Sequence, residues 1–208
     1  NREVAFDLIH IHDWLTALAG ISSKQFLNRP LISTVHSMEV GRSQGLHNSD
    51  SFLIDGIEWW MTYEAKHVIA CSNSVKRELE DHFHLPSDKI TVIPNGVEVS
   101  KFEVNVNRED VKRRYGVAPH ERVVLFVGRL VPQKGVDSLI RAIPLIASRH
   151  GNTKFLISGD GWSRGYLESL ADSTGLGDRI RFLGFIPDSE LPKLIASADV
   201  LVVPSIYE

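Results

Sequence analysis

The chain has 208 residues, of which 43% are apolar and 24% charged, with a formal net charge of −3. These are ordinary values for a globular protein with room for one large or two small domains, and the slight acidity gives no footing for a polyanionic partner such as nucleic acid. The single cysteine, Cys71, excludes an internal disulfide framework and a cysteine-rich zinc site, and no apolar run reaches the ~18 residues that span a bilayer.

Short β-rich runs alternate with helical segments along the chain. Residues 7–12, ending in His10-Ile11-His12, form the first run, a helix is expected over 14–27, and a second run covers 31–35. A polar, glycine-containing loop is expected over 41–50 and a helix over 52–65, with Trp59 and Trp60 read as packing residues. Residues 67–71 read as a third strand, with Cys71 expected to be a buried core thiol because its neighbours are apolar. Ser74 is a plausible N-cap for a helix over 75–83, and residues 90–93 form a fourth strand closed by Pro94-Asn95-Gly96.

Residues 99–120 are polar, with one short helical pattern over 108–115, and a domain boundary is placed near 104, giving domains 1–103 and 104–208. The alternation then resumes, with strands expected at 122–127, 154–158, 180–183 and 199–203. Between them lie helical patterns, one carrying Val136, Leu139, Ile140, Ile143 and Ala147 as a single stripe, with Pro144 expected to kink it. Further helices are expected over 162–172 and 189–196. Alternating strands and helices argue for parallel sheets covered on both faces, and in such sheets ligands bind at the carboxyl ends of the strands.

The residues after the strands therefore carry the functional information. In Gly128-Arg129-Leu130-Val131-Pro132-Gln133-Lys134-Gly135, Gly128 allows a sharp turn and Arg129 offers a planar fork of donors. Lys134 adds a point charge, and Gly135 opens a helix whose N-terminus favours an anion. The constellation suits a diphosphate. Two solvated cations beside a turn are the plain alternative, and their place after a buried strand and before a helix favours the diphosphate. No Gly-Lys-Ser/Thr follows, so this is not a Walker loop. Gly159-Asp160-Gly161 with Gly165 has the wrong spacing for a dinucleotide fingerprint and reads equally as a tight turn. His10 and His12 share a strand face, but no third ligand at suitable spacing supports a metal.

Taken in order, His12-Asp13-Trp14, Thr34-Val35-His36-Ser37, Pro94-Asn95-Gly96-Val97, Gly128-Arg129 with Lys134-Gly135, Gly159-Asp160-Gly161, and Pro204-Ser205 with Tyr207-Glu208 resemble retaining glycosyltransferase family 4 and, more distantly, bacterial glycogen synthases. The run His36-Ser37-Met38-Glu39-Val40-Gly41-Arg42, with Ile57-Glu58-Trp59-Trp60, looks like the glycogen-synthase-like branch. The resemblance implies an α/β fold of the GT-B type, two Rossmann-like domains with parallel sheets facing a cleft, both incomplete here. It implies that the chain is an internal fragment, with the family's second paired glutamate lying after Glu208, and that the fragment alone lacks full activity.

The resemblance also carries roles onto matching positions. Arg129 and Lys134 match the pair that grips the donor diphosphate and stabilises the leaving group, with Gly128, Gly159 and Gly161 around it. Glu208 matches the first of the paired glutamates near the donor sugar, and His36 the histidine that contacts the donor hexose. Asp13, Glu39 and Asn95 match sugar- and acceptor-side residues, and Phe185 and Ile186 the loop whose backbone meets the nucleobase. No metal cofactor is implied. The partners are a nucleotide-sugar donor and a carbohydrate acceptor, and a cytoplasmic location is expected. The reading is transfer of glucose from ADP- or UDP-glucose to an α-1,4-glucan. Another sugar or acceptor within the family, a nucleotide-sugar epimerase and a non-catalytic sugar-binding relative stay open as alternatives.

Overall fold

The alternating runs fold into two parallel sheets of four strands each. The computed structural model describes residues 6–207, and the chain divides after Gly96 into two units, each built on one sheet. Residues 97–103, which the polarity pattern assigns to the first domain, go with the second unit. There the 3-10 turn Val99–Phe102 packs against the helix Leu191–Ser197.

The first unit contains β1 (Ile9–His12), β2 (Leu31–Val35), β3 (His67–Ala70) and β4 (Ile90–Val92), lying side by side in that order. The connecting helices are α1 (Ala17–Leu27), α2 (Glu39–Arg42), α3 (Ser49–Glu64) and α4 (Asn73–Phe83). Val75, Leu79 and Phe83, four apart, turn one stripe of α4 into a core shared with Ile11, Leu31, Val35, Met61 and Val68. Helix α3 starts three residues before its expected first residue because Asn48 and Ser51 form a capping box. Asn48 Oδ1 accepts from the Ser51 N–H at 2.9 Å, and Ser51 Oγ accepts from the Asn48 N–H at 3.1 Å. Helix α4 is capped by Ser72, not Ser74: Ser72 Oγ accepts from the Val75 N–H at 3.1 Å. The loop expected over 41–50 is entered through the single helical turn α2.

The second unit contains α5 (Arg108–Arg114), β5 (Arg122–Val127), α6 (Val136–Arg149), β6 (Thr153–Ser158), α7 (Arg164–Ser173), β7 (Ile180–Gly184), α8 (Leu191–Ser197) and β8 (Val200–Leu201). Its strand order is β7-β6-β5-β8. Strand parity explains why this sheet is covered on both faces. Phe126, Phe155 and Ile157 pack with Leu139, Ile140, Ile143 and Leu167, while Val123, Leu125 and Leu156 pack with Val117 and Leu194. Helix α6 carries on through Pro144 to Arg149. After β7 the chain crosses to the other side of β5, so the strand order reverses between β5 and β8. A ligand crevice is expected outside the strand ends at such a point.

Candidate functional site

On the β7-β6-β5 side of that switch point, backbone hydrogen bonds lace the loops after β5, β6 and β7 together. Gly128 N–H donates to the Ser158 carbonyl at 3.0 Å, Gly159 N–H to the Gly184 carbonyl at 2.8 Å, and Leu130 N–H to the Asp160 carbonyl at 2.9 Å. Gly159 has φ 128°, and a Cβ there would lie 1.8 Å from the Gly128 carbonyl oxygen. Only glycine permits both the conformation and the approach. Gly161 lies against the Leu130 carbonyl.

Around these turns is a depression of about 300 Å³, lined by Gly128, Arg129, Gly159, Phe185 and Ile186 among others. Five of the expected donor-binding residues therefore share one wall. Asp160, named in the sequence only as part of its turn motif, and Asp188, which the sequence does not point to, line it too. The Arg129 side chain is exposed and has no ion-pair partner among the described residues. Phe185 is 76% exposed, a large apolar ring held at the edge of a polar turn. A separate depression of about 360 Å³ takes in Val131, Trp162, Tyr166 and Ile206 and none of the expected donor residues.

Lys134 does not line the depression. It closes the 3-10 turn Pro132–Lys134, which leads into α6. Gly135 has φ 61°, and a Cβ there would lie 2.1 Å from the Pro204 carbonyl oxygen. Ile206 N–H donates to the Gln133 carbonyl at 2.8 Å. The Lys134 turn is thereby fastened to the segment that follows β8. Glu208, expected at the end of that segment, lies outside the described residues.

In the first unit the strand ends carry side chains that meet one another. Asp13 N–H donates to the Thr34 carbonyl at 3.0 Å, and Asp13 Oδ1 accepts from the His36 N–H at 2.8 Å. Asp13 holds φ 54° and ψ 177°, a region essentially reserved for glycine, at a cost of about 1–3 kcal/mol. Strain of this kind clusters at functional positions. His36 Nε2 lies 3.0 Å from His12 Nδ1, with the ring planes 20° apart, and His36 Nδ1 lies 3.2 Å from Cys71 Sγ. Cys71 Sγ donates to Asn95 Oδ1 at 3.7 Å. His10 Nε2 meets Thr34 Oγ1 at 2.8 Å, and burial, then the neighbouring His12, pushes its imidazolium below the ordinary histidine value.

Cys71 is thus not the buried core thiol that its apolar neighbours suggest. It is half-buried at the strand end, between His36 and Asn95. Burial, followed by the Asp13 charge, pushes the thiol up, against the lowering effect of Asn95. The available signal was strand parity: Val68 and Ala70 are buried, so the next residue faces the other way. Trp59 and Trp60 are 47% and 37% exposed, not core residues, and Trp59 stacks on Tyr63 with centroids 5.5 Å apart.

Glu39 is drawn away from this row into a buried ion-pair network. Its carboxylate accepts from Arg42 Nη2 at 2.8 Å and from Ser43 Oγ at 2.6 Å. Glu58 accepts from Arg42 Nη2 at 2.7 Å and from the Glu39 N–H at 2.8 Å. Arg42 Nη1 also donates to the Ser37 carbonyl at 2.8 Å, which fixes the backbone just after His36. Burial pushes the Glu58 carboxyl above the ordinary range, against the Glu39 N–H and Arg42, which lower it. Among the described residues, no group of three or more His, Cys, Asp or Glu is placed to hold a metal ion, and no helix is long and apolar enough to cross a membrane.

Comparison with known proteins matches both units. Residues 1–101 fit the family described as Glycosyltransferase Family 4, and residues 107–208 fit Glycosyl transferases group 1. The chain is 43% identical over 206 residues to a glycosyltransferase of Methanocaldococcus jannaschii, covering 98% of this chain and 53% of that protein. It is 34% identical over 203 residues to glycogen synthase of Mycobacterium tuberculosis, covering 97% of this chain and 47% of that protein. The crystal structure of Anabaena HepE in complex with UDP superposes with a TM-score of 0.78 at 25% identity, over 96% of this chain and 53% of that one. The chain thus spans about half the length of the relatives it matches.

Proposed function

The chain belongs to glycosyltransferase family 4, with the GT-B fold, and on that premise we propose that it serves a retaining hexosyltransferase whose donor is a nucleotide sugar. The finer reading is transfer of glucose from ADP- or UDP-glucose to an α-1,4-glucan. One observation carries the donor side: Arg129 follows β5, the strand that borders the switch point of the second sheet, exposed and without an ion-pair partner among the described residues, on the rim of a depression floored by glycines. A guanidinium placed so offers a bidentate fork to a diphosphate.

In this mechanism the bond between the anomeric carbon and the diphosphate oxygen breaks, the acceptor oxygen bonds to the same face of the sugar, and the acceptor's hydroxyl proton passes to the departing diphosphate oxygen. Negative charge grows on the departing nucleoside diphosphate. Arg129, Lys134 and the backbone N–H groups at the start of α6 meet that charge without reorganising. Phe185 and Ile186 border the nucleobase, and Gly128, Gly159 and Gly161 let the backbone come close to the donor. Glu208 acts near the donor sugar. On the first unit, His36, Asp13 and Asn95 recognise the sugar side. Glu39, whose carboxylate is held by Arg42 and Ser43, supports that loop from behind. Protein cations take the place of a metal in this reading. The UDP complex of HepE and the identity to a glycogen synthase support the donor class and the glucan acceptor respectively.

The test uses the full-length protein with ADP-glucose, UDP-glucose and GDP-mannose, each with and without glycogen. Nucleoside diphosphate release and glucan growth are read together. Glycogen-dependent release from a glucose donor with chain growth is expected. Release only with mannose, or without glycogen, keeps the transferase and discards the glucan synthase. Absence of release from all three overturns the donor assignment.

A further inference from the structure

We propose that Cys71 is a positioning residue: its sulfur and the His12 ring clamp His36 between them and hold it in the Nδ1–H tautomer. The inference rests on the reading of His36 as a sugar-side residue for its consequence, though not for its geometry.

The row follows from register. The sheet order is β1-β2-β3-β4, with His12 opposite Thr34, Val35 opposite Ala70, and Ala70 opposite Val92. His12 ends β1, His36 and Cys71 directly follow β2 and β3, and Asn95 follows β4 by three residues. Four adjacent strand ends therefore put four polar side chains in line along one edge. The contacts are 3.0 Å from His12 Nδ1 to His36 Nε2, 3.2 Å from His36 Nδ1 to Cys71 Sγ, and 3.7 Å from Cys71 Sγ to Asn95 Oδ1. The backbone at His36 is fixed by its N–H, which Asp13 Oδ1 accepts at 2.8 Å, and the ring itself is held by His12 and Cys71.

The protons in this row can be counted. Burial and the Asp13 carboxylate keep Cys71 a neutral thiol, with one proton to give. Asn95 Oδ1 only accepts, so the S–H points to it and the sulfur lone pairs face His36. His36 Nδ1 must then carry the hydrogen, and its Nε2 is a bare acceptor that His12 Nδ1–H fills. The other groups facing the row are Asp13 and His10, whose ring lies 4.6 Å from that of His12. Neither contributes a competing donor to His36 Nε2. A sugar hydroxyl that displaces the exposed His12 ring must therefore donate its hydrogen to His36.

The test has two readouts. Long-range nitrogen–proton NMR of the imidazoles in the full-length protein, at about pH 8 where free histidine is neutral, reports which ring nitrogen bears hydrogen. His36 is expected as Nδ1–H in the native chain and in Cys71→Ser, and as mainly Nε2–H in Cys71→Ala. An Nε2–H form or a mixture in the native chain overturns the proposal, and this needs no variant to fold. In the full-length protein, Cys71→Ala should lower kcat about tenfold with a smaller change in donor KM, and Cys71→Ser should recover most of it. If Cys71→Ala keeps native kcat while its tautomer changes, the positioning role is overturned. If the native protein transfers no sugar but shows the tautomer, the functional reading fails and the clamp stands.

Discussion

In the first unit the residues that follow the strands bind one another: His12, His36, Cys71 and Asn95 form a row, and Asp13 ties β1 to β2. In the second unit the strand ends are joined by backbone hydrogen bonds through Gly128 and Gly159, and Arg129 is left exposed beside them. Both units use the same parallel alternation of strand and helix. The difference is what each edge can offer a ligand. A row of side chains that already hydrogen-bond one another suits hydroxyl groups, which swap one hydrogen bond for another. An exposed guanidinium over close-packed glycine backbone suits an anion, whose charge it meets without first breaking an ion pair.

Glycine substitutions break this contrast most directly. Gly159→Ala should destabilise the second unit by about 4 kcal/mol or prevent its folding, because the new Cβ meets a carbonyl oxygen and φ is 128°. In the first unit, a Cβ at Gly56 inside α3 meets nothing within 4 Å. Gly56→Ala should therefore stabilise by about 0.5–1 kcal/mol. Urea unfolding of both variants checks the pair. A Gly159→Ala chain as stable as the native one would show that the strand ends of the second unit do not depend on that approach.

Charge substitutions follow in size. In the full-length protein, Lys134→Ala should remove about 3 kcal/mol of transition-state stabilisation, roughly a hundredfold in kcat. Arg129→Lys should also be harmful, since an ammonium cannot reproduce the planar fork. Steady-state kinetics beside thermal midpoints separate this from unfolding. Near-native kcat in Lys134→Ala would remove Lys134 from the donor site and leave Arg129 to carry it alone.

Much of the architecture was legible because each strand announces itself by an apolar run with a clear stop. β2 and β5 occupy the spans expected for them, one beginning just after Pro30 and the other ending just before Gly128. Helix starts were less legible, since Cys71-Ser72-Asn73-Ser74 offers more than one capping side chain and only the end of β3 selects Ser72. Trp162 lies in the turn before α7 because Ser163 N–H is drawn to the Leu130 carbonyl at 3.1 Å, a contact from another loop. The residues of the diphosphate-like turn could be read from their order. The partners of His36 could not, because His12 and Cys71 reach it only through strand register. Glu39 looked like a site residue from its place after β2, and its capture by Arg42 depends on the fold of α2.

The smallest expected effect sharpens the comparison through pH. In the second unit Asp199 is held below the ordinary aspartate value: burial opposes this, but the Val123 N–H, Lys112 and Arg108 outweigh it. A depressed carboxylate adds stability above its unfolded pKa and loses it as pH falls through the folded value, so the loss belongs below about pH 4. In the first unit Glu58 is raised, chiefly by burial. Its contribution is greatest below the ordinary glutamate value and is lost as pH rises from about 4 through the folded value. The native-minus-variant stability for Asp199→Asn should therefore rise with pH, and that for Glu58→Gln should fall. Water screens Asp199, whose side chain is 31% exposed, so its change should be the smaller of the two. Thermal melts between about pH 3 and 7 can be followed by tryptophan fluorescence, with Trp162 in the second unit and Trp14, Trp59 and Trp60 in the first. Curves of the same sign would mean that Arg42, and not burial, governs Glu58, and the first unit's carboxylates would then behave like those of the second.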